Sequence, residues 1–164
     1  MSALQSALPE ASAEAAEVYL HPGQIFVSRE PHRVTTILGS CVSVCMWDDS
    51  TGVGGLNHFL LPHWAGEGHS SPRFGNVAMR MLVEGLLALG ARRSRLRAKV
   101  FGGACVMEAF LARAQHLGAK NVEIAERILD EEAVEVVARD VGGERGRKLI
   151  FETSGGSAWV RRLG

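Results

Sequence analysis

The sequence has no long apolar run and no excess of charge of either sign. No stretch approaches the roughly 18 consecutive apolar residues that a membrane-spanning helix requires, so we expect no membrane insertion. Eighteen basic residues balance eighteen acidic ones, which gives no overall positive field of the kind that attracts nucleic acid. The 164 residues are enough for one domain with a buried core.

Cysteines are too few for a disulfide framework. The three present, Cys41, Cys45 and Cys105, are an odd number without the spacing of disulfide-rich domains. The N-terminal stretch is acidic and lacks both a basic start and a long apolar block, so it does not have the features of a secretory signal. We therefore expect a cytoplasmic protein whose thiols stay reduced.

Phosphate-binding glycine motifs are also missing. Gly-Gly pairs occur at 54–55, 102–103, 142–143 and 155–156, and none belongs to a G-x-x-x-x-G-K-[ST] or a G-x-G-x-x-G sequence. Most of them are predicted turns. Gly102-Gly103 differs because it lies between a predicted strand and a predicted helix, where it could bring backbone close to a substrate.

The residues that are present predict an α+β fold. β-Branched and large apolar residues indicate strands over 24–27, 34–38, 42–47, 53–61, 96–101, 134–138, 148–152 and 158–162. Periodicity and glycine stops indicate helices over 76–89, 105–117 and 121–129, the last with Asn121 as its N-cap. This order predicts a mostly antiparallel or mixed sheet flanked by about three helices. The predicted elements form a single expected domain, 18–164, which follows a tail, 1–17, that is predicted to be mobile.

The segment around Cys41 contains the candidate chemistry. Gly39 and Ser40 interrupt two predicted strands just before Cys41, so the thiol is expected at a bend where backbone N–H groups can form an oxyanion hole. His58 lies in the next predicted strand, and an imidazole beside a thiol can serve as its base. A simpler interpretation remains open, in which Cys41 is a small buried hydrophobe and His58 a hydrogen-bonded core histidine.

A third group usually orients the imidazole of such a pair. Thr35 and Thr36 both precede Cys41 on the same predicted strand, and either could supply a hydroxyl. The residues alone do not distinguish the two threonines.

A zinc site is the competing use of these residues. Cys41, Cys45, His58 and His63 follow a C-x3-C and H-x4-H spacing. If 41–47 is a strand, however, the two cysteines lie about 13 Å apart at about 3.3 Å per residue. That separation is too large for a shared ion or a disulfide, so we expect no metal.

Six spaced motifs follow one another from about residue 20 to the C-terminus. They are LGSCVxVC at 38–45, GLNHFxLP at 55–62, FGNVAM at 74–79, FGGA at 101–104, GxxNV at 118–122 and DxGG…GRK at 140–148. In this order they resemble the CheD family, the chemoreceptor glutamine deamidases of bacterial chemotaxis. Phe74 departs from the pattern, since a tyrosine is common there.

The resemblance implies a cysteine-hydrolase fold like that of deamidating bacterial toxins, with a site formed by Cys41, His58 and Thr35. It implies that the substrate is a glutamine side chain on the cytoplasmic helices of a chemoreceptor. It also suggests a CheC-type phosphatase as a partner. The chemistry of such a site needs no metal or organic cofactor.

The sequence therefore predicts hydrolysis of a protein glutamine to glutamate through a thioester on Cys41. Five residues are expected near the oxyanion or the substrate: Gly39, Ser40, Asn57, Gly102 and Gly103. The alternatives are a non-catalytic adaptor that binds a receptor or a CheC-type protein, and a hydrolase of small amides.

Overall fold

The computed structural model describes residues 15–106 and 116–164. Nine strands and two α-helices occur in these ranges. In chain order they are β1 (Ala16–Tyr19), β2 (Ile25–Ser28), β3 (His32–Leu38), β4 (Val42–Asp48), β5 (Val53–Asn57), α1 (Gly75–Ala88), β6 (Arg97–Gly102), α2 (Leu117–Glu131), β7 (Glu135–Val141), β8 (Arg147–Glu152) and β9 (Ala158–Arg162).

The strands form two sheets. One sheet has the order β1-β3-β8-β9 and the other β2-β5-β4-β6-β7. β1 pairs with β3 and β6 with β7 in parallel, and the remaining pairs are antiparallel. The α+β class with mixed sheets is therefore confirmed.

The core has two parts, one on each face of the five-stranded sheet. Val34, Leu149 and Phe151 of the four-stranded sheet pack against Leu56 and Phe101 of the other sheet. On the far side, the five-stranded sheet packs against both helices. β4 has the sequence VSVCMWD and is buried along its whole length, because both of its faces are covered.

Most predicted elements match the structure within a few residues, but three boundaries differ. Ala16 and Glu17, assigned to the tail from the sequence, are the first residues of β1. β5 ends at Asn57, and β-bridges at Phe59 and Leu61 continue its path. α2 begins at Leu117, four residues before the predicted start.

The structure describes two α-helices, where the sequence predicted about three. Of the predicted helix over 105–117, residues 107–115 lie outside the described ranges, and Cys105 and Val106 are not helical. No helix in the described part of the chain combines the length and the apolar character needed to cross a membrane.

Candidate active site

Cys41 and His58 lie on the same face of the five-stranded sheet. The β4–β5 register pairs Cys45 with Leu56, and the bridge between Val42 and Phe59 continues it. Extended by this register, Ser43 lies opposite His58, and Cys41 is the diagonal neighbour of His58. Diagonal cross-strand neighbours are about 7–8 Å apart at their backbones, within reach of long side chains. The register thus places Cys41 and His58 on one face of the sheet as diagonal neighbours, and their pairing as nucleophile and base stays a prediction.

Thr36 binds the imidazole and determines its tautomer. Its Oγ1 lies 2.7 Å from His58 Nδ1 and donates to the Leu20 carbonyl at 2.8 Å. A hydroxyl has one proton, and because the Leu20 carbonyl takes it, Thr36 Oγ1 must accept from His58 Nδ1–H. Nε2 of His58 then holds a lone pair, as a general base requires.

Thr35, the threonine assigned to this role from the sequence, faces the other way. It lines a shallow groove on the outer face of the four-stranded sheet, next to Tyr19, Ile37 and Lys148. Successive side chains of a strand point to opposite faces, so β3 can direct only one of the two threonines toward His58. That residue is Thr36, which is fully buried.

Burial keeps both reacting groups neutral. It lowers the pKa of His58 to about 4, and Nε2 is buried without a hydrogen-bond partner among the described residues. Burial also raises the pKa of the Cys41 thiol, and the backbone N–H of Cys41 itself partly offsets this by stabilising the thiolate. Both shifts favour the neutral forms, a thiol on Cys41 and an uncharged imidazole on His58, at neutral pH.

The turn before Cys41 is held from behind by the segment after β6. Gly103 N–H donates to the Cys41 carbonyl at 2.8 Å, and Ala104 N–H donates to the Gly39 carbonyl at 2.9 Å. Gly102 has φ +104°, and a Cβ there would lie 2.2 Å from the Cys41 carbonyl oxygen. Gly102 and Gly103, predicted to approach the substrate, contact the backbone of Cys41.

Asn57 does not line the site, in contrast to the sequence expectation. Its Oδ1 accepts from Val44 N–H at 2.8 Å and its Nδ2 lies 3.3 Å from Met79 Sδ on α1. It alternates with His58 along the chain and so points to the helix side of the sheet. Its carboxamide is a structural group of the core.

Asn121 is a site residue that the sequence analysis missed. It lies in the second turn of α2 rather than at its N-cap, and it is fully buried. Its Nδ2 donates to the carbonyls of Ser40 and Leu60. The available signal was a polar side chain in line with Gly118, Ile124 and Ala125 on the buried face of a helix.

No group of three metal-binding side chains converges within 15–106 and 116–164.

A thiol, an imidazole with a free basic nitrogen and a hydroxyl that orients the imidazole are the components of a cysteine-dependent hydrolase site.

Comparison with known proteins gives the family. The family model described as CheD chemotactic sensory transduction matches residues 60–162. A probable chemoreceptor glutamine deamidase CheD 1 from Anaeromyxobacter dehalogenans is 56% identical over 148 residues, 90% of this chain and 85% of its own. Probable chemoreceptor glutamine deamidases CheD from Trichlorobacter lovleyi and Sulfurimonas denitrificans are 49% and 41% identical, over 88% and 87% of this chain and 89% and 92% of theirs. The chain belongs to the CheD family.

Proposed function

We propose that this protein is a protein-glutamine deamidase that hydrolyses glutamine side chains of chemoreceptors to glutamate. Its relatives are named probable chemoreceptor glutamine deamidases. The observation that carries the proposal is the hydrogen-bond chain from Leu20 through Thr36 to His58, because it leaves a basic nitrogen free on the sheet face that holds Cys41.

Cys41 is the nucleophile and His58 the base in this proposal. His58 Nε2 takes the thiol proton as sulfur attacks the carboxamide carbon. Thr36 keeps Nδ1 protonated and stabilises the imidazolium that forms. The pair is neutral at rest, so the charges develop only during the reaction.

The second half of the reaction returns the proton. His58 protonates the departing ammonia, and the C–N bond breaks to leave a thioester on Cys41. Water then attacks the thioester carbonyl while His58 takes its proton. Glutamate and the thiol are released, and each turnover adds one negative charge to the receptor.

The backbone N–H of Cys41 is the proposed oxyanion donor. It lies close enough to the sulfur to stabilise the thiolate, so it is next to the atom that attacks. The tetrahedral intermediate forms at the carbon bonded to the sulfur, so its negatively charged oxygen lies close to the same N–H. A fixed N–H donor stabilises negative charge there.

The remaining parts of the proposal come from the family resemblance. The substrate segment is a cytoplasmic helix of the receptor, which locates this protein in the cytoplasm. A CheC-type phosphatase is the proposed partner. The fold is proposed to be the cysteine-hydrolase fold of deamidating toxins.

Intact-mass analysis of a receptor cytoplasmic fragment tests the function. The fragment is incubated with a trace amount of wild-type protein, Cys41→Ala or Cys105→Ala. Because the thiol is the nucleophile, we expect a gain of about one dalton per glutamine with the wild type and Cys105→Ala, and none with Cys41→Ala. Binding of the fragment in near-equal amounts without any mass change would contradict the proposal and favour an adaptor.

A further inference from the structure

Asn121 connects the two segments that carry the reacting groups. Its Nδ2 donates to the Ser40 carbonyl and to the Leu60 carbonyl, each at 3.0 Å. Ser40 immediately precedes Cys41, and Leu60 follows His58 by two residues. A carboxamide has two N–H protons, so both are used, and the buried Oδ1 has no partner among the described residues.

Two glycines allow α2 to approach the turn this closely. A Cβ on Gly118 would lie 2.4 Å from the Gly103 carbonyl oxygen, and a Cβ on Gly103 would lie 2.4 Å from Val122 Cγ2. The first turn of α2 therefore packs backbone to backbone against the segment after β6, whose N–H groups bind the turn at Cys41. Asn121 comes one turn later, at the distance where its short side chain reaches the Ser40 carbonyl.

The Ser40 carbonyl belongs to the same planar peptide as the Cys41 N–H. In a trans peptide the C=O and N–H bonds point in opposite directions, and the structure contains no cis peptide bond in its described part. A carbonyl fixed toward α2 therefore directs the Cys41 N–H away from α2. Hydrogen bonding at the carbonyl also polarises the peptide and strengthens its N–H as a donor.

We propose that Asn121 is a positioning residue that orients the Ser40–Cys41 peptide so that its N–H serves as the oxyanion donor. This role rests on the proposed function, and Asn121 itself does not touch the substrate. The bond to Leu60 fixes the strand that follows His58 relative to the same peptide, so one side chain sets the spacing of both reacting groups.

Two reagents that act on Cys41 separate this role from general structural support. p-Nitrophenyl acetate acylates the thiol through a tetrahedral oxyanion, whereas iodoacetamide alkylates it without one. Both rates are measured for the wild type, Asn121→Ala and Asn121→Leu, per mole of folded protein, after subtraction of the rate for Cys41→Ala. Asn121→Leu keeps the side-chain size without burying a charge, in case the alanine variant does not fold.

We expect the ratio of acylation to alkylation to fall about tenfold in the Asn121 variants, because an oxyanion donor is misdirected while the thiol remains accessible. With the receptor fragment, kcat should fall by at least the same factor and KM should change little. A ratio within about twofold of wild type would overturn the proposal, since so small a change is typical of substitutions outside a site.

Asp48→Ala is the matched control. The buried Asp48 side chain also makes two hydrogen bonds to backbone, in which its carboxylate accepts from the Ser50 and Arg92 N–H groups at 2.8 Å each. It lies at the other end of β4. If Asp48→Ala lowers the ratio as much as Asn121→Ala, the effect is one of stability and the proposal is wrong. If the wild type never modifies the receptor but the Asn121 variants show the expected fall in the ratio, the proposed function is refuted and the role of Asn121 is supported.

Discussion

Thr36 is the residue that orients His58 in the proposed mechanism. Thr36→Val replaces the hydroxyl by a methyl group of similar size and leaves His58 Nδ1–H and the Leu20 carbonyl without the partner seen in the structure. We expect kcat per folded protein to fall about 10- to 100-fold, because general base catalysis loses part of its contribution when the base is misoriented. Unpaired buried groups also cost about 1–3 kcal/mol of stability.

Thr36→Ser and Thr35→Val are the controls for that experiment. Serine keeps the hydroxyl and should retain most of the activity. Thr35→Val alters the outer groove only and should stay within about twofold of wild type. Equal losses of kcat in Thr35→Val and Thr36→Val would contradict the assignment of Thr36 as the residue that orients His58.

The protonation states of Cys41 and His58 predict the pH dependence of activity. The pKa of His58 is lowered to about 4, so His58 is a free base above that pH and is lost as a base when pH falls through it. We expect kcat/KM to be flat between about pH 5.5 and 8 and to decline toward pH 4. A midpoint near 6.5, the ordinary histidine value, would show that the imidazole is not desolvated.

The pH dependence of the rate at which iodoacetamide alkylates Cys41 is a second test of whether Cys41 and His58 are neutral at rest. Because burial raises the pKa of this thiol, the rate should keep rising above pH 9 in the wild type. A plateau already reached at pH 6 to 7 would indicate a preformed thiolate–imidazolium pair.

Sequence reasoning identified the candidate nucleophile and base because each has a distinctive local setting. Cys41 follows a Gly-Ser break and His58 lies in an apolar run. The choice between Thr35 and Thr36 depends on which face of β3 meets the other sheet, and adjacent residues of identical type carry no information about that. The family spacing favoured Thr35, and the hydrogen bond to His58 is made by Thr36.

Among the elements, the junction between β6 and the turn at Cys41 is the most constrained. Gly102→Ala places a methyl group 2.2 Å from the Cys41 carbonyl oxygen at φ +104°. We expect a clear loss of both stability and activity, because the turn must shift. Urea unfolding and receptor deamidation measure the two effects.

Gly52→Ala is the matched control for the junction. Gly52 also has a positive φ, +77°, but nothing lies within 4 Å of a Cβ there. Its substitution should cost about 1–2 kcal/mol from backbone conformation alone and leave kcat unchanged. If the two variants behave alike, the contact with Cys41 has no role.

The elements that the sequence predicted well are those with a buried, periodic face. α1 was expected over 76–89 and spans Gly75–Ala88, with its buried residues spaced three and four apart. β1 was missed because it is a short strand at a sheet edge and most of it is exposed. The start of α2 was misplaced because Asn121 was taken for a cap, while His116 is the residue whose ring accepts from the Ala119 N–H.

For the whole molecule, the site forms only after the two sheets have packed together. Thr36 comes from the four-stranded sheet, whereas Cys41 directly precedes β4 and His58 directly follows β5 of the five-stranded sheet. No local pattern in the sequence encodes which faces of the sheets meet, so this pairing could not be derived from the residues.

Burying His58 in its neutral form makes global stability depend on pH. The unfolded chain binds a proton at about pH 6.5, whereas the folded chain does so only near pH 4. The stabilisation is therefore complete above pH 6.5 and is lost as pH falls toward 4, by a total of about 3 kcal/mol. The urea unfolding midpoints of the wild type and His58→Gln, measured between pH 4 and 7, test this stabilisation. Parallel curves of midpoint against pH would show that His58 is not the group responsible.

The protonated resting state of Cys41 also bears on oxidative damage. Hydrogen peroxide reacts with thiolates far more readily than with thiols, and a sulfenic acid at this position would end turnover. Because burial raises the pKa of this thiol, we expect Cys41 to react with hydrogen peroxide more slowly at neutral pH than an exposed cysteine does.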